Sequence, residues 1–256
     1  MNDKILETRN LVKEFKGFVA VNDVSLSVKR HQIHALIGPN GAGKTTFFNL
    51  LTKFLHPSSG TILYNGIDIT AEAPAQTARR GLVRSFQISA VFPHMTALEN
   101  VRVALQRKLP TSYFFWKSGN SLGKLDDRAM QLLTEVGLED AADILAVELP
   151  YGRKRALEVA TTLALEPELM LLDEPTQGMG HEDVARVAEL IKKVSANRTI
   201  LMVEHNMSVV ASIADTISVL QRGSVIAEGP YELVSKDPQV IEAYMGSTSE
   251  ELQGAH

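Results

Sequence analysis

The sequence predicts an α/β fold in which a strand–loop–helix core carries an antiparallel β subdomain and a helical subdomain. Three observations lead there. Leu169-Met170-Leu171-Leu172 and Thr199-Ile200-Leu201-Met202-Val203 are short apolar runs with the pattern of buried parallel strands. Near the N-terminus apolar and polar residues alternate, and an Asn65-Gly66 pair between β-rich runs is a strong hairpin signal. From about Thr96 to Ala164 the apolar spacing changes to threes and fours, which is helical.

The elements follow in order. Ile5 to Phe15 and Val24 to Val28 read as short strands. The run His34-Ala35-Leu36-Ile37 leads into Gly38-Pro39-Asn40-Gly41-Ala42-Gly43-Lys44-Thr45-Thr46, and Thr46 to Leu51 continue as a helix. Two glycines five apart, then lysine, then a hydroxyl residue, form a phosphate-binding loop in that setting. The glycines let backbone N–H groups close around a β-phosphate, Lys44 reaches the β/γ oxygens, and Thr45 can offer its hydroxyl to Mg²⁺. A Gly-rich turn with no ligand is the alternative, and the flanking strand and helix argue against it. Tyr64-Asn65-Gly66-Ile67 then makes the hairpin.

In the helical stretch Leu98, Val101 and Leu105, and later Met130, Leu133 and Val136, mark the apolar faces. Tyr113-Phe114-Phe115-Trp116 is a consecutive aromatic run whose members cannot all face one core, and we read it as a covering for that of the insert. Ala156, Leu157, Ala160, Leu163 and Ala164 continue helical spacing, and Glu182 to Val194 form a helix between the two apolar strands. Ile217 to Leu220 and Val225 to Ala227 flank Arg222-Gly223 as a second hairpin. Residues 1–246 are expected to form one unit with a helical insert at about 88–165, and 247–256 a flexible tail.

Bulk properties narrow the function. With 256 residues the chain can bury a large core, and its net charge of −4 gives no electrostatic reason to expect nucleic acid. It has no cysteine, which excludes disulfides and thiolate metal sites. No apolar stretch approaches the ~18 residues that span a bilayer. A cytoplasmic protein is expected, and any work at a membrane requires another chain to carry the spans.

Leu169 to Leu172 run into Asp173-Glu174, and Pro175 ends the strand. Beside a phosphate loop, the first acid holds Mg²⁺ and the second can act as general base on an attacking water. Alone, the same acids would be a solvated strand end. Gln87 alone would be polar surface, His205 a satisfied structural residue, and Phe15 core.

Their order adds weight. Phe15, Gly38 to Thr46, Gln87, Leu149 to Arg155, Asp173-Glu174 and His205 give a sequence that resembles the ATP-binding-cassette (ABC) ATPase family over nearly the whole chain. Within it, Val83-Arg84-Ser85-Phe86-Gln87, Val203-Glu204-His205-Asn206-Met207 and the ending Asp237 to Gly246 look most like ATP-binding subunits of branched-chain amino-acid importers. The resemblance implies a P-loop (RecA-like) core and assigns roles. Phe15 would stack on adenine, Lys44 bind the β/γ-phosphates, Thr45 Mg²⁺ and Thr46 the α-phosphate. Gln87 would contact Mg²⁺ or water, Asp173 order Mg²⁺, Glu174 polarise water and His205 hold the γ-phosphate. It further implies Mg²⁺-dependent ATP hydrolysis on the cytoplasmic face of the inner membrane. The partners would be transmembrane permease subunits, a second ATP-binding subunit, identical or different, and a solute-binding protein. A docking surface for the permease is expected after Gln87, at Val91, Phe92, Pro93 and Met95.

The chain also departs from the family pattern. The signature, usually Leu-Ser-Gly-Gly-Gln, falls at Leu149-Pro150-Tyr151-Gly152-Arg153, where Pro150 has neither hydroxyl nor N–H. Tyr151, Gly152 and Arg153 are therefore the candidate nucleotide contacts there. Arg153-Lys154-Arg155 places three cations in a first helical turn, against the macrodipole. Either Arg153 supplies a phosphate or ribose contact, or the turn is solvated. Gln177-Gly178-Met179-Gly180-His181 lacks the family's usual acid near Gly180, so pairing with a different ATPase chain would make two unequal composite sites. Other readings are an ATPase of lipid or glycan export, a non-transport machine acting on DNA or ribosomes, and a binding-only subunit. The coiled coils or paired cassettes of the non-transport machines are not found here.

Overall fold

The structure, a computed structural model, describes residues 3–85, 91–107 and 120–253. The chain opens with β1 (Lys4–Phe15), β2 (Phe18–Val24), β3 (Ser27–Lys29) and β4 (Ile33–Ile37), followed by α1 (Lys44–Leu51). Next come β5 (Ser59–Tyr64), β6 (Ile67–Asp68), α2 (Pro74–Arg79) and β7 (Leu82–Ser85). The helical region holds α3 (Ala97–Gln106), α4 (Asn120–Glu135) and α5 (Tyr151–Leu163). The chain then alternates through β8 (Leu169–Asp173), α6 (His181–Ser195), β9 (Thr199–Val203) and α7 (Met207–Ile213). It closes with β10 (Thr216–Gln221), β11 (Ser224–Gly229), α8 (Tyr231–Val234) and α9 (Pro238–Gln253).

The larger sheet has the order β11-β10-β4-β9-β8-β7, parallel except for the β10–β11 hairpin. Every residue of β4, β8 and β9 is buried, because both faces of this sheet are covered and its strands are continuously apolar. Alternate residues serve opposite faces. Ile33, Ala35, Met170, Leu172, Ile200 and Met202 pack with the helices α3 to α7. Leu36, Leu169, Leu171, Leu201 and Val203 pack with Phe47 and Phe48 of α1 and with the antiparallel sheet. Asp173 continues the second set, so its carboxylate belongs to the α1 face.

The antiparallel sheet is ordered β2-β1-β5-β6, with β3 also on β1. Its β5–β6 turn has Asn65 at φ 52° and Gly66 at φ 77°, the two left-handed positions of a type I′ turn. The strand expected from Val24 to Val28 is instead divided. Thr8 takes the gap: its hydroxyl donates to Val24 O at 3.1 Å and accepts from Leu26 N at 3.0 Å. That exchange turns the chain from β2 to β3 and leaves Thr8 buried. The strand Phe18–Val24, unexpected from the sequence, pairs with β1 over a bulged register.

In the helical region Thr96 caps α3 through a reciprocal pair with Glu99, at 3.2 and 2.8 Å. The C-terminus also differs from expectation. α9 continues as helix to Gln253, through residues expected to be a frayed tail from Ser247. The expectations for Gln87 and for Tyr113 to Trp116 lie outside the described residues.

A polar chain, buried at His34 and Ser218 and exposed at Glu228, links β4, β10 and β11 of the large sheet. Ser218 Oγ donates to Glu228 Oε2 at 2.7 Å and lies 2.8 Å from His34 Nε2. With the hydroxyl proton committed to Glu228, the neutral imidazole is the donor to Ser218. Burial lowers the His34 pKa from 6.5 to about 4. Between those values the unfolded chain takes up a proton that the native chain refuses, so stability is lost as pH falls through that window. His34→Gln keeps a donor without the titration. From pH 7.5 to pH 5 the parent should lose roughly 2 kcal/mol more than His34→Gln in denaturant unfolding. Equal losses would show that His34 does not carry this dependence.

Candidate functional site

The carboxyl ends of β4, β8 and β9 converge on one edge of the sheet, and the phosphate loop, Asp173-Glu174 and His205 are found there. Gly38 to Thr46 link β4 to α1. Gly38 has φ 147° and Gly43 φ 102°. A Cβ on Gly38 would stand 2.1 Å from Leu220 O, and one on Gly43 2.4 Å from Ala20 O. These two glycines are therefore demanded by the chain's own strands as well as by any phosphate. Lys44 closes the loop on itself, donating to Gly38 O at 2.7 Å and Pro39 O at 2.9 Å. Burial lowers its pKa, and the charge of Glu174 opposes that shift. Thr45 is exposed and Thr46 half-buried.

Glu174 is held at φ 47° with its N–H on Val203 O at 2.9 Å. This left-handed residue breaks the strand alternation directly after Asp173. The two acids can thus turn to one edge, which a continued strand would forbid. His205 Nε2 lies 2.6 Å from Glu174 Oε1. Asn40, Glu174, Thr176, Glu204, His205 and Asn206 line an open cleft of about 500 Å³. The structure thus brings Glu174 and His205 together with Asn40 of the loop, and the Glu174 charge acts on Lys44. Phe15 shows its ring at the surface, with Lys13 Nζ 5.0 Å from the centroid. It is not core.

The sequence names Glu204 only as part of a motif, yet its carboxylate is buried and organises the edge. Thr176 Oγ1 donates to it at 2.7 Å and Asn206 N at 3.1 Å. The loops carrying Glu174 and His205 are thereby tied together. No local pattern announces such a residue. Its role follows only from the need to satisfy a buried charge.

Three cations enter the first turn of α5, but each has a partner. Arg153 is turned to the surface, 2.8 Å from Asp140, and Lys154 donates to Val147 O at 2.9 Å. The pairing of Arg153 supports the solvated turn over a nucleotide contact. Arg155 is the one that reaches the backbone on either side of Glu174. It donates to Pro175 O and Asp173 O, each at 3.2 Å, and pairs with Glu158 at 2.5 Å, all buried. This fork ties α5 to the strand end that carries both acids. Tyr151 is exposed and donates to Gln177 O at 3.3 Å. Gly152 admits Asp183 of α6, whose Oδ1 would lie 2.7 Å from a Cβ there.

Residues 21–177 match the family described as ABC transporter. The chain belongs to the ABC transporter family. Residues 224–249 match the family described as branched-chain amino acid ATP-binding cassette transporter. The high-affinity branched-chain amino acid transport ATP-binding protein BraF of Pseudomonas aeruginosa is 39% identical, covering 96% of this chain and 99% of that protein. The ADP conformation of MJ1267, an ATP-binding cassette of an ABC transporter, superposes with TM-score 0.83 at 31% identity, covering 95% and 99% of the two chains. The dimeric structure of MJ0796, a bacterial ABC transporter cassette, gives 0.73 at 25% identity over 88% and 98%. As a member of this family the chain is a nucleotide-binding ATPase.

Three substitutions test the reading of α5. Arg155→Met strands the buried Glu158 carboxylate and should cost about 3 kcal/mol or more in denaturant unfolding. Adding Glu158→Gln should return at least about a third of that. A single-mutant loss below ~1 kcal/mol would remove Arg155 from this role. Arg153→Ala breaks only an exposed pair and should leave ATP turnover within about twofold of the parent. A larger fall would restore Arg153 as a nucleotide contact.

Proposed function

We propose that this ABC ATPase hydrolyses Mg·ATP to drive import of a small polar solute, a branched-chain amino acid or a related amide or acid, through a separate permease. The observation that carries it is Glu174, fixed in a left-handed turn, bonded to His205 and acting electrostatically on Lys44. In our reading water attacks the γ-phosphorus as Glu174 accepts its proton. The bond from that phosphorus to the β–γ bridging oxygen breaks, and ADP and phosphate leave. His205 holds the carboxylate in place before ATP enters and turns to the γ-phosphate afterwards. Lys44 binds the β/γ-phosphates, Thr46 the α-phosphate, and the exposed Phe15 ring stacks on adenine.

Asp173 and Thr45 are oxygen donors suited to Mg²⁺. Among the described residues no cluster of three or more His, Cys, Asp or Glu forms a cage of its own, as expected when substrate phosphates supply most of the coordination. The metal would neutralise charge on the β/γ-phosphates. Gln87 is assigned to the same shell.

One chain, residues 1–246, has one phosphate loop and one signature, so we assign a head-to-tail pair of cassettes, as the solved bacterial dimer suggests. Tyr151 and Gly152 would face the partner's nucleotide, with Pro150 lacking the usual hydroxyl. Phe92, Met95 and Val147 are exposed and lie together, since Val147 N bonds Pro93 O and Ala146 N bonds Met95 O, each at 2.9 Å. This apolar patch suits the permease's cytoplasmic helices. Val91 packs inward instead. No described helix is long and apolar enough to cross a membrane. The transporter relatives support a peripheral seat against the permease, which we assign to the cytoplasmic face of the inner membrane. A solute-binding protein completes the system. The named relatives favour import over lipid or glycan export.

Glu174→Gln in the chain assembled with its permease should lower phosphate release by about 10²-fold or more. Nucleotide affinity should persist, because the P-loop is untouched. An unaltered rate would sink the assignment.

A further inference from the structure

Arg84 occupies β7 at a point where three elements meet. Its Nη2 pairs with Asp173 Oδ2 at the end of β8, and its Nη1 donates to Asn49 Oδ1 on α1 at 2.6 Å. The guanidinium lies 5.9 Å from the centroid of the Phe48 ring. Both charges are withdrawn from water, with Arg84 11% and Asp173 2% exposed at the side chain. A carboxylate so buried requires a counter-charge at all times, since an unpaired one is strongly destabilising. In the nucleotide-free chain Arg84 supplies it.

We propose that Arg84 is a positioning residue for metal capture: its guanidinium holds Asp173 before nucleotide arrives and makes Mg²⁺ binding conditional on the phosphates of ATP. The proposal rests on the reading that Asp173 serves the metal. A cation already bonded to one carboxylate oxygen repels a second cation, and at low effective dielectric that repulsion is large. Metal alone therefore binds poorly. The negative phosphates of ATP, placed by Gly38 to Thr46, tip the balance. Asn49 matters because it anchors the other arm of the fork on the helix that leaves the phosphate loop, so Asp173 and α1 keep a fixed spacing. A lysine would supply the charge but could not span both partners with a planar fork.

The test uses full-length protein free of nucleotide, titrated with Mn²⁺ while the free ion is followed by its paramagnetic resonance. Arg84→Gln should bind Mn²⁺ at least about tenfold tighter than the parent, and adding Asp173→Asn should abolish the gain. Arg84→Lys, which keeps the charge, should stay within about threefold of the parent. If Arg84→Gln does not fold, Asn49→Asp sets a carboxylate against the other arm of the fork, offsets the guanidinium charge and should tighten Mn²⁺ binding by about threefold or more. With EDTA present, a fluorescent ATP analogue should bind parent and Arg84→Gln alike. Failure of the parent to bind that analogue would count against the ATPase reading. Equal Mn²⁺ affinity in parent, Arg84→Gln and Asn49→Asp would overturn this proposal and leave that reading intact.

Discussion

Parallel pairing of β4, β9 and β8 is the constraint from which the site follows. Their register sets Leu36 beside Val203 and Val203 beside Asp173, so the phosphate loop, the acid pair and the His205 loop leave the sheet at one edge. Ligands gather at the carboxyl ends of such strands because the loops there are free to vary while the sheet beneath is rigid. Here the rigidity has a visible source. Three strands are buried along their whole length and packed on both faces, by helices on one side and by α1 with the antiparallel sheet on the other.

That burial creates a second problem, since the edge must carry charge into an apolar interior. The chain solves it with buried pairs rather than with exposure. Arg84 meets Asp173, Arg155 meets Glu158 and two backbone carbonyls, and Glu204 takes up Thr176 and Asn206. Arg84–Asp173 and Thr176–Glu204 cross between elements, and Arg155 does so through the carbonyls of Asp173 and Pro175, so satisfying a charge and fixing a spacing are one event. The α5 helix is thereby joined to the backbone of Asp173 and Pro175, a direct mechanical link between the signature region and the acids.

Much of this was legible before the structure. The phosphate loop was readable because its residues are consecutive and each has its own chemistry, and the type I′ turn at Asn65-Gly66 because left-handed backbone favours those two residues. The buried strands were readable from apolar runs. Less visible were the break at Ser25-Leu26, which depends on the Thr8 hydroxyl from a strand distant in sequence, and the helical continuation of α9. Arg153 and Arg155 differ by two positions and look equivalent in sequence. Their opposite fates, one on a surface aspartate and one beneath the acids, follow from the side of α5 on which each falls.

The sequence by itself determined the ligand class, the α/β core and the candidate acids, since these depend on residues adjacent in the chain and on local backbone preference. Only the tertiary structure decided which charges pair, that Glu174 leaves the strand in a left-handed turn toward His205, and that Arg84 already stands at Asp173. Those contacts join residues up to 89 apart. They exist because a buried charge must find whichever partner the packing of distant elements brings within reach.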